Sequence, residues 1–248
     1  MLPDTLAFYL VTAFVILLIG LSKGGLGGAA GGAATPLMAL VMPPEMAIGL
    51  LLPLLMLTDV FAVAAHWGKW DKRLLLYLVP ASLIGITLGT ALITSISSEA
   101  LRTGLGIFVV IFVLYRLFEK RILQSLTYQP RNWHGVPAGS VAGFTSTLAH
   151  TGGPPITIYL LLQNIPPRTF IATSAAYFAI INWLKVPYYV YAGILHPQEV
   201  LEIVWLLPLI PVGVIIGRWL SVRIDKATFD RVILVLLVFS AVLLLMEA

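Results

Sequence analysis

Between Arg73 and Glu99 the chain carries no charged side chain, and residues 74–96 form one apolar run. A run of about 20 apolar residues matches the ~30 Å hydrocarbon core of a bilayer when coiled as a helix. Five more such runs lie at roughly 45–65, 100–117, 169–192, 200–221 and 229–246. Strict alternation of polar and apolar residues is absent, which argues against a transmembrane barrel. Charged residues are only 10% of the chain and apolar ones 59%, whereas soluble domains carry about 25% charged residues. A soluble enzyme, a secreted domain and a disordered chain are thereby excluded. The pattern predicts an all-α, polytopic integral membrane protein of the cytoplasmic membrane.

Cysteine is absent, which removes disulfides and thiolate chemistry. The excess of 15 basic over 11 acidic residues reads as cytoplasmic loops rather than nucleic-acid binding. The apolar segment from Leu6 to Leu18 lacks a basic stretch before it and is expected to stay in the mature chain.

Two longer apolar stretches contain helix breakers. Residues 5–42 hold GLSKGGLGGAAGG, and residues 136–165 hold AHTGGPP. Gly and Pro clusters interrupt helices. At ~1.5 Å per residue, the second stretch is too short for two crossings and reads as a hairpin of two half-helices. The first is long enough for a hairpin or for two nearly full spans.

The halves share an ordered pattern. Gly31-Gly32, Pro43-Pro44, Asp59, Pro80, Gly85, Gly89 and Arg102 recur as Gly152-Gly153, Pro166-Pro167, Asn182, Pro208, Gly213, Gly217 and Arg231. Basic clusters at 66–73, 116–131 and 218–231, against none at 193–199, place the first three in the cytoplasm. These sides agree when the second break makes no net crossing. The chain then reads as one membrane domain of two inverted repeats: repeat one at 1–118, a cytoplasmic linker at 119–132, and repeat two at 133–248. Each repeat is a Gly-rich broken hairpin followed by three transmembrane helices. Inverted repeats around broken helices mark secondary transporters, with the site where the breaks meet.

The segments GLSKGGLGGAAGGAATPLMAL at 20–40 and GFTSTLAHTGGPPITIYLLLQ at 143–163 resemble the two signatures of the sulfite exporter TauE/SafE family, also called the toluene-sulfonate uptake permeases. The stretch INWLKVPYY around Asn182, Lys185 and Pro187 resembles it too. The resemblance implies a transporter of sulfite, organosulfonates or related small anions. Ala29-Ala30 and Ala33-Ala34 replace the Gly or larger aliphatics frequent in relatives.

Lys23, inside the first break, reads as an anion ligand or as a solvated flank. Gly24, Gly25 and Gly28 either offer backbone N–H groups to an anion or pack helices closely. Thr151, Gly152 and Gly153 join the half-helices of the second break, with the hydroxyls of Thr145, Ser146 and Thr147 as further donors to an anion. Asn182 donates to an anion or bridges helices, and Lys185, one turn away, binds an anion or snorkels. His150 and Asp59 are the candidates for a coupling proton. Their plain alternatives are a neutral His bonded to a freed carbonyl, and an Asp within reach of Lys69. No metal or cofactor is called for. The two P-x4-G-x3-G segments are expected to be packing faces. Trp67, Trp70, Trp133, Tyr188, Tyr189 and Tyr191 are expected in interfacial belts. The partners expected are a small anion and the lipid bilayer. An anion channel is the rival reading, and a membrane-embedded enzyme, lacking HExxH, GxSxG and Cys, stands behind it.

Overall fold

The computed structural model describes residues 2–23, 29–125 and 131–247, and every regular element among them is helical. Hydrocarbon offers backbone groups no partners, and a helix satisfies them within its own segment. In chain order the helices are α1 (Leu6–Leu21), α2 (Ala29–Met38), α3 (Pro44–Ala65), α4 (Lys72–Ser95), α5 (Ser98–Ser125), α6 (Gly135–Ala149), α7 (Gly153–Leu162), α8 (Pro167–Tyr191), α9 (Pro197–Glu202), α10 (Leu209–Ser221) and α11 (Lys226–Met246). Six segments are long and apolar enough to cross a membrane: α3, α4, α5, α8, α11 and the span Val204–Ser221 that ends in α10.

Two boundaries differ from the expected ones. α5 continues to Ser125 because Glu119, Lys120 and Arg121 are good helix formers beyond the apolar run. The run at 200–221 is not one helix: α9, a 3₁₀ turn at Val204–Leu206 and α10 succeed one another. Pro208 stands at the join, where it supplies no N–H and its ring blocks continuation.

Both broken stretches are pairs of short helices. α1 and α2 have 16 and 10 residues, and α6 and α7 have 15 and 10. At ~1.5 Å per residue they reach about 15–24 Å.

The chain divides into two compact units, each drawing on both halves of the sequence. The first comprises Met1–Leu54, Ile96–Leu117 and Ile194–Ala248. Here α1 packs on α10 and on α2, and α2 on α11. A Cβ added to Gly213 would stand 2.6 Å from the Leu17 carbonyl oxygen, and one on Gly217 2.5 Å from that of Leu21, so no side chain fits either position. Arg102 donates to the Ala39 carbonyl just beyond α2 at 2.8 Å and pairs with Glu247.

The second unit comprises Leu55–Ser95 and Phe118–Gly193. α4 lies against α6 so closely that a Cβ on Gly85 would run into the Ser140 carbonyl, and one on Gly143 into that of Ser82. A Cβ on Gly89 would stand 2.9 Å from that of Thr147. The packing role expected of both P-x4-G-x3-G segments therefore holds. Around this seam Leu74, Leu78, Ile86, Ala142, Ile156, Leu160, Tyr177 and Ile181 form a buried cluster. Trp67, Trp133 and Tyr191 are exposed as belt residues should be, but Tyr189 is fully buried. It is bonded to α6, because four-residue spacing turns it inward with Lys185.

Candidate functional site

The second break lies within the second unit. α6 ends at Ala149, and His150 follows in the left-handed conformation at φ 52. Few side chains adopt that region, and His is among those enriched there. Gly152 then caps α7, whose first turn holds Pro154 and Pro155. Its close approach to the Ala142 carbonyl, 2.7 Å from an added Cβ, explains the glycine. Beside it, Gly153 opens on free space.

Ending a helix frees its last carbonyls, and α8 supplies a donor for that of Thr147 and a second donor for that of Ser146, which also accepts from the His150 N–H. Tyr177, Ile181, Lys185 and Tyr189 follow one another at intervals of four, and all are fully buried. Such spacing lays side chains on one stripe of a helix. The Tyr189 hydroxyl donates to the Thr147 carbonyl at 2.8 Å. Lys185 Nζ donates to the Ser146 carbonyl at 3.1 Å and to Ser146 Oγ at 3.0 Å, and stands 3.3 Å from His150 Nδ1. An ammonium has three N–H donors, so all three find acceptors, and every acceptor is neutral. With Lys185 charged, His150 accepts at Nδ1 and a neutral ring carries its proton on Nε2. Higher on the stripe, Tyr177 shares a 2.8 Å hydrogen bond with Ser82, which donates to Leu78 O and Gly139 O.

The break hydroxyls do not stand free as donors to an anion. Thr145 donates to Val141 O, Thr147 to Gly143 O and Thr151 to Ala149 O. Each returns its proton to a nearby carbonyl, the usual fate of such residues in an apolar helix.

One turn before Lys185, Asn182 donates its amide to Asp59 Oδ2 at 2.7 Å, and both are buried. The amide thus bridges α3 and α8. Asp59 is thereby tied to the helix that carries Lys185. It also lines a cavity of about 280 Å3 together with Met56, Val60, Val63, Ala64, Trp67, Ala179 and Trp183.

Asp59, His150, Thr151, Gly152, Gly153, Asn182 and Lys185 thus all belong to the second unit. Lys23 belongs to the first, just beyond α1, with its side chain exposed. Gly24, Gly25 and Gly28 lie outside the described residues. Tyr177, Tyr189 and Ser82 were not singled out from the sequence. The four-residue stripe on α8 is the signal that finds them. Among the described residues no group of three His, Asp or Glu side chains is set to hold a metal ion.

Residues 12–244 match the family model described as "Sulfite exporter TauE/SafE". The chain is 27% identical over 225 residues to a protein of Bacillus subtilis (strain 168) named "Probable membrane transporter protein YtnM", covering 85% of this chain and 74% of that one. No solved structure matches.

Proposed function

Given that the chain belongs to the sulfite exporter TauE/SafE family, a family of membrane transporters, we propose that it is a secondary transporter of a small sulfur-containing anion, sulfite or a short sulfonate, working by alternating access. The observation that carries this reading is Lys185, a fully buried lysine at a helix break whose Nζ meets Ser146 O, Ser146 Oγ and His150 Nδ1. A cation at membrane depth is costly, and an oxyanion is a better acceptor for it than a carbonyl. With Lys185 sealed between α8 and α6, an anion reaches it only when those helices part, which is the motion alternating access requires.

Two features support inverted repeats. Asp59 and Asn182, equivalent in the two halves, bond to each other, as equivalent residues near a two-fold axis do. Reciprocally, α4 packs on α6 in one unit and α10 on α1 in the other, each through its P-x4-G-x3-G segment.

Uptake of radiolabelled sulfite and methanesulfonate into proteoliposomes tests the function. The expected result is saturable flux stimulated by the same anion on the far side, whereas flux that never saturates makes the protein a channel. Lys185→Gln should lower anion affinity at least about tenfold, the equivalent of ~1.4 kcal/mol, through loss of charge-assisted bonds. Lys23→Gln should cost a similar factor if the first break contributes. Wild-type affinity in that variant removes Lys23 from the site.

A further inference from the structure

The ammonium of Lys185 and the carboxylate of Asp59 differ in access. Lys185 is 0% exposed and meets only the protein. Asp59 borders the cavity whose lining runs through Val60, Val63 and Ala64 to Trp67, a residue 71% exposed beside the basic segment 66–73. Among the described residues the lining contains no other titratable group. Asn182 ties Asp59 to the helix that carries Lys185, three residues before it.

The groups facing this pair can be named from each side. α3 contributes Asp59, and the end of α6 contributes His150, with its Nδ1 toward Lys185. α8 itself contributes Tyr177 and Tyr189, both engaged with Ser82 and Thr147. From α4 come the hydroxyls of Ser82 and of Thr87, the latter bonded to Tyr188. Among these groups Lys185 and Asp59 are the pair of opposite formal charge when both are ionised, and the two then cancel.

We propose that Asp59 takes up a proton through this cavity and that the loss of its charge makes Lys185 receptive to a monoanion, so that one proton travels with one anion. The inference rests on the transporter reading above. A carboxylate and an ammonium sum to zero before loading. A carboxylic acid, an ammonium and a monoanion sum to zero after it. Asn182 keeps its bond, since the acid retains an accepting oxygen. A dianion leaves the cluster with a net negative charge in a low-dielectric setting, so sulfonates are favoured over sulfate.

Methanesulfonate is the probe, because its single charge does not change across the physiological pH range. In proteoliposomes of the full chain, an inward gradient of one pH unit should support up to about tenfold accumulation at one proton per anion, with matching acidification of the lumen. Asp59→Asn mimics the loaded carboxyl and keeps the bond to Asn182. It should lose gradient-driven accumulation while methanesulfonate still binds, with an affinity that falls less steeply with rising pH than in wild type. Wild-type accumulation in Asp59→Asn overturns the proposal, as does wild-type uptake without proton movement. Should Asp59→Asn fail to fold, the wild-type count decides: about one proton per anion supports it, and none overturns it. If neither sulfite nor methanesulfonate moves in any gradient, the transporter reading itself falls and takes this inference with it.

Discussion

Tyr189 closes the second break from α8 by giving its hydroxyl proton to the Thr147 carbonyl. Tyr189→Phe keeps the ring in place and leaves that carbonyl buried without this donor, a defect worth about 1–3 kcal/mol. The variant should unfold at a lower temperature in detergent while its anion affinity stays near wild type, because the Lys185 contacts do not pass through the hydroxyl. A large affinity loss at unchanged stability would instead put Tyr189 in the binding machinery. The site was half legible in the sequence. Lys185, Asn182, Asp59 and His150 stand out because polar groups in apolar runs are expensive, and the structure brings these four into one unit. Tyr189 was read as a belt residue because a Tyr near a helix end serves equally well at a membrane surface. Direction around the helix, not composition, separates the two roles. A sequence also does not show that the hydroxyls of Thr145, Thr147 and Thr151 each bond a carbonyl within one turn.

α4 and α10 depend on glycine for their seams, so bulk there acts on the element as a whole. Gly85→Leu drives a side chain into the Ser140 backbone, and Gly213→Leu into that of Leu17. Each should destabilise by about 1–3 kcal/mol or more, seen as lower expression and a lower unfolding temperature. Affinity in the surviving protein should change little, and a selective affinity loss would assign these glycines to the site. At this scale most of the fold was readable, because runs of ~20 apolar residues and clusters of Gly and Pro are strong signals. The interruption at Pro208 was not, since a single Pro inside an apolar run is tolerated elsewhere: Pro53, Pro80 and Pro187 sit within continuous helices.

For the whole molecule, the inverted-repeat topology is open to direct labelling. The chain has no cysteine, so each introduced one reports alone. Cysteines at Lys72, Gln124 and Lys226 should react with an impermeant maleimide only from the cytoplasm, and one at Gln198 only from outside. Reaction of Lys72→Cys and Gln198→Cys from the same side would rule out the topology. The interleaving of the units bears also on biosynthesis. Helices leave the ribosome in order, so the glycine face of α4 waits only for α6, while α1 waits for α10, almost the entire length of the message. The second unit is complete once Gly193 is inserted, and the first only with its last segment, Ile194–Ala248. A chain stopped after Gly193 should therefore hold one finished unit and one orphaned α1, and pulse-chase should show it cleared by membrane proteases unless residues 194–248 are supplied as a separate polypeptide. On that expectation residues 194–248, the C-terminal quarter of the chain, decide whether the first unit is completed.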